Sequence, residues 1–152
     1  MEKKTMRHIN GLLILVLVAT VLLLSGCSST PPVTAASNAP AVVEKIEGTE
    51  LNRLTLTEKA AQRLGIQTAL VSEEQVGDAK RLVVPYSALI YDLQGGTWAY
   101  TSPKDLVYVR QPITVDYIEG DRAVLVDGLD AGTTVVTIGV AELYGADTGI
   151  GK

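Results

Sequence analysis

The chain has 152 residues, 13 of them Lys or Arg and 17 Asp or Glu, for a net charge of −4 with its single histidine neutral. Its 47% hydrophobic content suits a folded protein, and its acidic balance argues against nucleic acid as a partner, because phosphate binding needs a basic surface. A single cysteine excludes a disulfide within the chain.

The opening residues, MEKKTMRHIN, are basic through Lys3, Lys4 and Arg7. Residues 11–24 (GLLILVLVATVLLL) carry no charge, and small residues follow in Leu24-Ser25-Gly26-Cys27. A basic start, an apolar core and small residues at a cut site are the parts of a secretory signal. The apolar core is shorter than the roughly 20 residues of a spanning helix, which weighs against an uncleaved anchor with an incidental cysteine. The LSGC stretch resembles the lipobox of bacterial lipoproteins. That resemblance implies removal of a signal peptide at 1–26 and lipid attachment, of the palmitate type, at Cys27. Membrane lipid is then the expected partner of Cys27, each buried acyl methylene contributing about 0.8 kcal/mol. The expected location is the cell envelope, lipid-anchored on the extracytoplasmic side: periplasmic with two membranes, on the outer face with one.

Setting aside residues 1–26 removes Lys3, Lys4, Arg7 and Glu2, leaving 10 basic and 16 acidic residues, a net charge of −6. This argues against a polybasic membrane patch. Residues 27–43 are rich in Ser, Thr, Pro and Ala, without charge or amphipathic period, and are expected to form a flexible tether.

A β-rich domain is expected over 44–144. Residues 51–56 read as extended, and residues 58–64 as one short helix. Thr57 caps its start, Glu58 and Arg63 complement its two ends, and Gly65 terminates it. A strand is expected at 66–71, then a polar connection at 72–80. Strands follow at 81–84, stopped by Pro85, at 88–91, and at 97–101 with Trp98 and Tyr100 on one face. A turn at 102–105 leads to a long strand at 106–118 marked by Pro112. Glu119-Gly120-Asp121 is a hairpin tip, Arg122 begins the return strand to 126, and a last strand occupies 133–140. The Gly-rich residues 145–152 read as a flexible tail. The expected fold is all-β, a small barrel or sandwich with one short α-helix. The strands at 66–71 and 133–140 share a β-branched character and are expected in one sheet system.

The side chains of common catalysis are scarce. His8, Met1 and Met6 all lie within residues 1–26. Beyond Cys27 the chain offers no imidazole, thioether or free thiol, hence no Ser-His-Asp or Cys-His constellation and no conventional zinc or Cu(I) site. No catalytic residue, metal ligand or cofactor is expected, and the chain is not read as an enzyme. Asp127 and Asp130 lack calcium-loop spacing and read as turn residues. Glu73-Glu74 reads as a surface charge pair, and Glu119 and Asp121 as solvated turn residues. Trp98, Tyr100, Tyr108 and Tyr117 offer either core packing or a stacking face.

Two stretches together resemble the two arms of periplasmic adaptor subunits, or membrane fusion proteins, of resistance–nodulation–division efflux pumps. The first is residues 54–71, LTLTEKAAQRLGIQTALV. The second runs from 83 to 144 and carries VVPYSALI, GGTWAY and VRQPITVDYIEGDRAVLVDGLDAGTTVVTIGVAELY. The second stretch resembles the membrane-proximal β-domain. In that family a lipoyl domain, a helical hairpin and a β-barrel are inserted between the arms. Here only about ten residues separate them, and no lipoyl-like Gly-Lys turn occurs. The resemblance therefore implies a stripped adaptor, retaining the domain that docks against a pump and lacking the hairpin that reaches an exit duct.

The expected function is that of an adaptor-like accessory component of a transmembrane efflux or transport assembly. It would act by protein contact with a transporter or another adaptor subunit, with Glu119, Asp121 and Arg122 as contact residues on an exposed turn. The alternative is an envelope lipoprotein that binds a small molecule or wall polymer on an aromatic β-face.

Overall fold

The Thr57-to-Gly65 phrase shapes the first helix as its residues dictate. In the computed structural model, which describes residues 39–150, helix α1 spans Glu58–Leu64. The Thr57 hydroxyl accepts the Ala60 N–H at 3.2 Å, satisfying a donor that the first turn leaves open. Gly65 adopts φ 63°, and its N–H and that of Ile66 return to the carbonyls of Gln62 and Ala61.

The described residues also form eleven strands. They are β1 (Ala41–Lys45), β2 (Asn52–Leu56), β3 (Gln67–Leu70), β4 (Ser72–Val76), β5 (Ala79–Pro85), β6 (Leu89–Tyr91), β7 (Thr97–Lys104), β8 (Val107–Pro112), β9 (Thr114–Glu119), β10 (Arg122–Asp127) and β11 (Thr134–Ile138). A single 3₁₀ turn, Tyr86–Ala88, joins β5 to β6, and a second helix, α2, runs over Val140–Thr148. One sheet has the order β1-β2-β8-β7-β11-β3, with β6 also paired to β7; the other has the order β4-β5-β10-β9. Neither sheet closes on itself. The arms meet as expected: β3 pairs antiparallel with β11, Ala69 facing Val135 and Thr68 facing Val136.

Alternation along the central strands builds three layers. Tyr100 and Val136 point to one face of the larger sheet, where they pack with Leu54, Ala60 of α1, and Val140 and Leu143 of α2. Ala99 and Val135, one residue away in each strand, point to the opposite face and pack with Val84, Ala123 and Leu125 of the smaller sheet. The larger sheet is thus covered by helices on one face and by the four-stranded sheet on the other. Among the described residues no helix is long and apolar enough to cross a membrane.

Several expectations are corrected. Among the described residues there are two helices, not one: α2 occupies the end of the expected last strand and part of the expected tail. Its buried residues Val140, Leu143 and Asp147 stand at helical spacing, but the acid interrupts the apolar stripe that marks a helix in a sequence. The stretch 72–80 is not a connection. It forms β4 and the start of β5, joined by a turn at Gly77 (φ 59°), and it is polar because β4 is a sheet edge. Strand β1 begins at Ala41, inside the expected tether, because residues 41–45 pair with β2. The long strand at 106–118 is two strands in different sheets. The chain changes sheet at Pro112-Ile113, where Gly128 packs so closely that an added Cβ would stand 2.7 Å from the Ile113 Cα and the Pro112 oxygen. The turn expected at 102–105 begins later, since β7 continues to Lys104 and Leu106 makes the reversal with φ 63°.

Candidate contact surface

The expected contact residues sit where β9 turns into β10. Gly120, with φ 61°, allows the tight reversal, leaving Glu119 and Arg122 side by side on the ladder. Arg122 Nη2 donates to Glu119 Oε2 at 2.8 Å, while Nη1 donates to Glu74 Oε2 of β4 at 2.6 Å. The charge of Glu74 and the hydrogen bond to Glu119 raise the pKa of Arg122 further above its already high value. Asp121 works through its backbone, its carbonyl accepting the Tyr86 N–H at 2.7 Å. The structure therefore brings Glu119 and Arg122 together and adds Glu74, read in the sequence only as part of a surface charge pair. Its neighbour Glu73 pairs with Lys80 at 3.0 Å.

Beside this cluster lies a notch of about 140 Å³, floored by Val83, Val84 and Pro85 and flanked by Leu70, which is 63% exposed. The four-stranded sheet and its loops (72–85 and 114–130) carry Glu73, Glu74, Asp78, Asp116, Glu119, Asp121, Asp127 and Asp130 against Lys80, Arg81 and Arg122, a net charge of −5. This sheet and its loops hold eight of the 16 acidic residues beyond residue 26 but only three of the 10 basic ones.

The aromatic binding face expected as an alternative is not assembled. Tyr100 and Tyr108 are buried in the core beneath the helices, and burial raises both phenol pKa values, helped for Tyr100 by the Asp147 hydrogen bond. Tyr117 lies on β9, in the other sheet. Trp98 is half-buried, donates its indole N–H to Asp92 Oδ2 at 2.7 Å, and is covered by the Arg110 guanidinium 4.5 Å above its ring. Asp92 Oδ1 also accepts the N–H groups of Gln94 and Gly96, so the Asp92-to-Gly96 turn is tied to the tryptophan.

Sequence reasoning missed Asp147. Its side chain is 1% exposed, yet it accepts hydrogen bonds from Tyr100 Oη at 2.6 Å and Asn52 Nδ2 at 2.8 Å. Arg110 Nε lies 3.3 Å from Asp147 Oδ2, an ion pair whose geometry leaves Nε without a hydrogen bond. Tyr144, one turn earlier on α2, places its ring 5.6 Å from the same guanidinium. Strands β2, β7 and β8 thus each send one polar side chain to a single carboxylate on α2. Asn52 and Tyr100 by hydrogen bonds and Arg110 by its charge converge on this carboxylate, which makes the cluster a latch for α2.

A broader groove of about 730 Å³ runs between α1 and the β7–β8 turn, bounded by Ala61, Gln62, Lys104, Asp105 and Leu106, with Tyr108 in its wall. Asp127 is not in a turn as expected but is the last residue of β10, facing Thr114 of β9, whereas Asp130 lies in the turn that follows, its carbonyl accepting the Thr133 N–H. Cys27 lies outside the described residues.

No protein-family model matches the chain, and no curated protein matches it. Among solved structures, it is similar to a 180-residue piece of SilB from Cupriavidus metallidurans CH34, solved by NMR and encompassing the N-terminal metal-binding site and the membrane proximal domain of that protein. The identity is 30%, with a TM-score of 0.43, over 51% of this chain and 42% of the SilB piece. The chain therefore matches less than half the length of that piece.

Proposed function

We propose that this chain is a lipid-anchored envelope protein that serves as an adaptor-like accessory component of an efflux or transport assembly and works by protein contact. One observation carries the reading. The two stretches that resemble adaptor arms are the ones that close into one sheet through β3 and β11, while the segment between them is a surface hairpin. A chain that retains both arms and replaces the long insertion with a hairpin keeps the docking domain and dispenses with the reach.

The contact face we assign is the acidic sheet end formed by Glu119, Asp121 and Arg122 together with Leu70 and Glu74. Its excess of carboxylates suits a basic partner surface, such as a transporter or a second adaptor subunit presents through Lys or Arg. Cys27 supplies the anchor, and the residues preceding β1 supply the tether.

The test is cross-linked capture from intact envelopes, comparing the wild-type chain with the double variant Glu119→Lys, Asp121→Lys. The expected result is recovery of a membrane transporter or adaptor subunit, with at least several-fold less from the variant. The variant's stability should change little, since exposed ion pairs contribute only about 0.2–1 kcal/mol. Capture that is unchanged by charge reversal removes this face from the interface. Recovery of wall polymer without transport proteins favours the alternative binding function.

A further inference from the structure

We propose that two copies of this chain join edge to edge through β1, their Ala41–Lys45 strands antiparallel about a two-fold axis at Val43. The hydrogen-bond direction along β1 defines the register. The Thr57 N–H donates to the Pro40 carbonyl, and the Ile46 N–H donates to the Leu51 carbonyl. Antiparallel ladders alternate every two residues, so Val42 and Glu44 also turn their backbone groups toward β2. Ala41, Val43 and Lys45 turn theirs outward, along an edge that pairs with no other strand among the described residues.

This edge differs from the others in the domain. Strand β9 is bulged at Asp116, which is held by Arg81 at 2.6 Å, and a bulge with a charge is a common block to strand addition. Strand β4 carries Glu73 and Glu74 in its middle, β3 pairs irregularly with β11, and β6 has three residues. Strand β1 pairs with β2 over five unbroken positions and leaves Val42 and Val43 each 40% exposed.

The sequence of β1 is complementary to itself in one register. With the axis at Val43, the valine faces its own copy, Val42 faces Glu44, and Ala41 faces Lys45, so no like charges oppose. An axis at Lys45 would set two lysines against each other, which is unfavourable in cross-strand pairs.

The position of the edge identifies a second copy as the occupant. Twelve residues, 28–39, separate Cys27 from Pro40; as the tether expected from their composition they would span roughly 20 Å. The paired strands would place the two Pro40 residues, six positions apart along the ladder, about 20 Å from each other, so both anchors can reach one bilayer. Five residues of edge fall short of the roughly 1,000 Å² that a stable interface in solution buries. Confinement to a membrane raises the effective concentration and makes up the difference. In that respect the inference rests on the lipid-anchor reading above.

The test uses full-length chains with two different tags, co-expressed as Val42→Cys and Glu44→Cys and oxidised in intact cells. Residues 42 and 44 face each other as a non-hydrogen-bonded pair with Cα atoms about 4.5 Å apart, within disulfide range. The expected product is a mixed-tag disulfide dimer, at least ten-fold more abundant than the dimer from either variant alone. Adding Val43→Lys, which keeps every backbone group and sets like charges at the axis, should reduce it at least ten-fold. Equal yields from single and mixed variants, absence of the mixed dimer, or indifference to Val43→Lys overturns the proposal. The wild-type chain separates this result from the anchor reading. If it forms a disulfide dimer through Cys27, that thiol is free and the anchor reading fails, whatever the outcome at β1.

Discussion

Tyr100 and Asp147 stand 47 positions apart, yet the phenol of one donates to the carboxylate of the other at 2.6 Å, joining β7 at the centre of the larger sheet to α2 at the end of the chain. With Asn52 and Arg110 the carboxylate has partners from three strands. Removing one member of such a buried set leaves the others desolvated and unpaired. We therefore expect Asp147→Ala to destabilise the domain by about 3–5 kcal/mol, measured by denaturant unfolding. Asp147→Asn, which keeps an acceptor and the side-chain shape, should cost less. An Asp147→Ala effect near that of an exposed substitution would show that α2 is held by Val140 and Leu143 alone.

The same contact predicts a response to alkali. Burial and the Asp147 hydrogen bond raise the pKa of Tyr100 above its ordinary value of 10.0. The folded state therefore holds this proton more tightly than the unfolded chain. The stabilisation is complete below pH 10 and declines as the pH rises above it, toward the raised folded value. Tyr100→Phe should flatten the loss of stability above pH 10, measured by unfolding at a series of pH values. At neutral pH the same variant should cost about 1.5–3 kcal/mol for the lost hydrogen bond to a charged group.

Trp98 is the single tryptophan and reports on Asp92 directly. The indole hydrogen bond, followed by the Gly96 N–H, holds the Asp92 carboxyl below its ordinary 3.8. Its contribution is therefore present above that pH and lost as the pH falls below it, through the lower folded value. Tryptophan emission should show a transition below pH 3.8 that precedes or accompanies acid unfolding. Asp92→Asn should abolish the separate transition, and an identical titration in that variant would dissociate the emission change from Asp92.

Two glycines separate backbone strain from crowding. Gly65 has φ 63° with open space where a Cβ would stand, so Gly65→Ala should cost only the left-handed penalty of roughly 1–2 kcal/mol. Gly128 has φ 128° and packs against the backbone of Pro112 and Ile113 at the sheet crossing. Gly128→Ala should cost more than Gly65→Ala by about 1–3 kcal/mol, the added cost of overpacking. Thermal unfolding of the pair measures the difference, and equal losses would mean that the crossing yields freely.

Much of the architecture was legible because local chemistry and final environment agree. Thr57 and Gly65 bracket α1 with groups that act within a few residues, so no distant contact was needed to place it. Gly120 marks the β9–β10 hairpin in the same way, at the tip expected from Glu119-Gly120-Asp121. The shared sheet of the two arms followed from the β-branched character of both segments, and β3 does pair with β11. The absence of His, Met and free thiol beyond Cys27 is likewise a property of the sequence alone.

Other features had no local signature. Strand β4 is polar because it lies at an edge, and an edge is defined by neighbours that a linear pattern does not contain. The alternation from Leu106 to Ile118 shows strand character but not the sheet to which each half belongs; the close approach of Gly128 to Ile113 decides that. Glu74 joins Arg122 across 48 positions, so its place in the contact cluster is a product of sheet order. Helix α2 is the clearest case. A sequence reveals a helix through a stripe of apolar residues, and this one buries a carboxylate at its end. Only the folded structure gathers Asn52, Tyr100 and Arg110 around Asp147, and without those partners an acid at that position could not be buried.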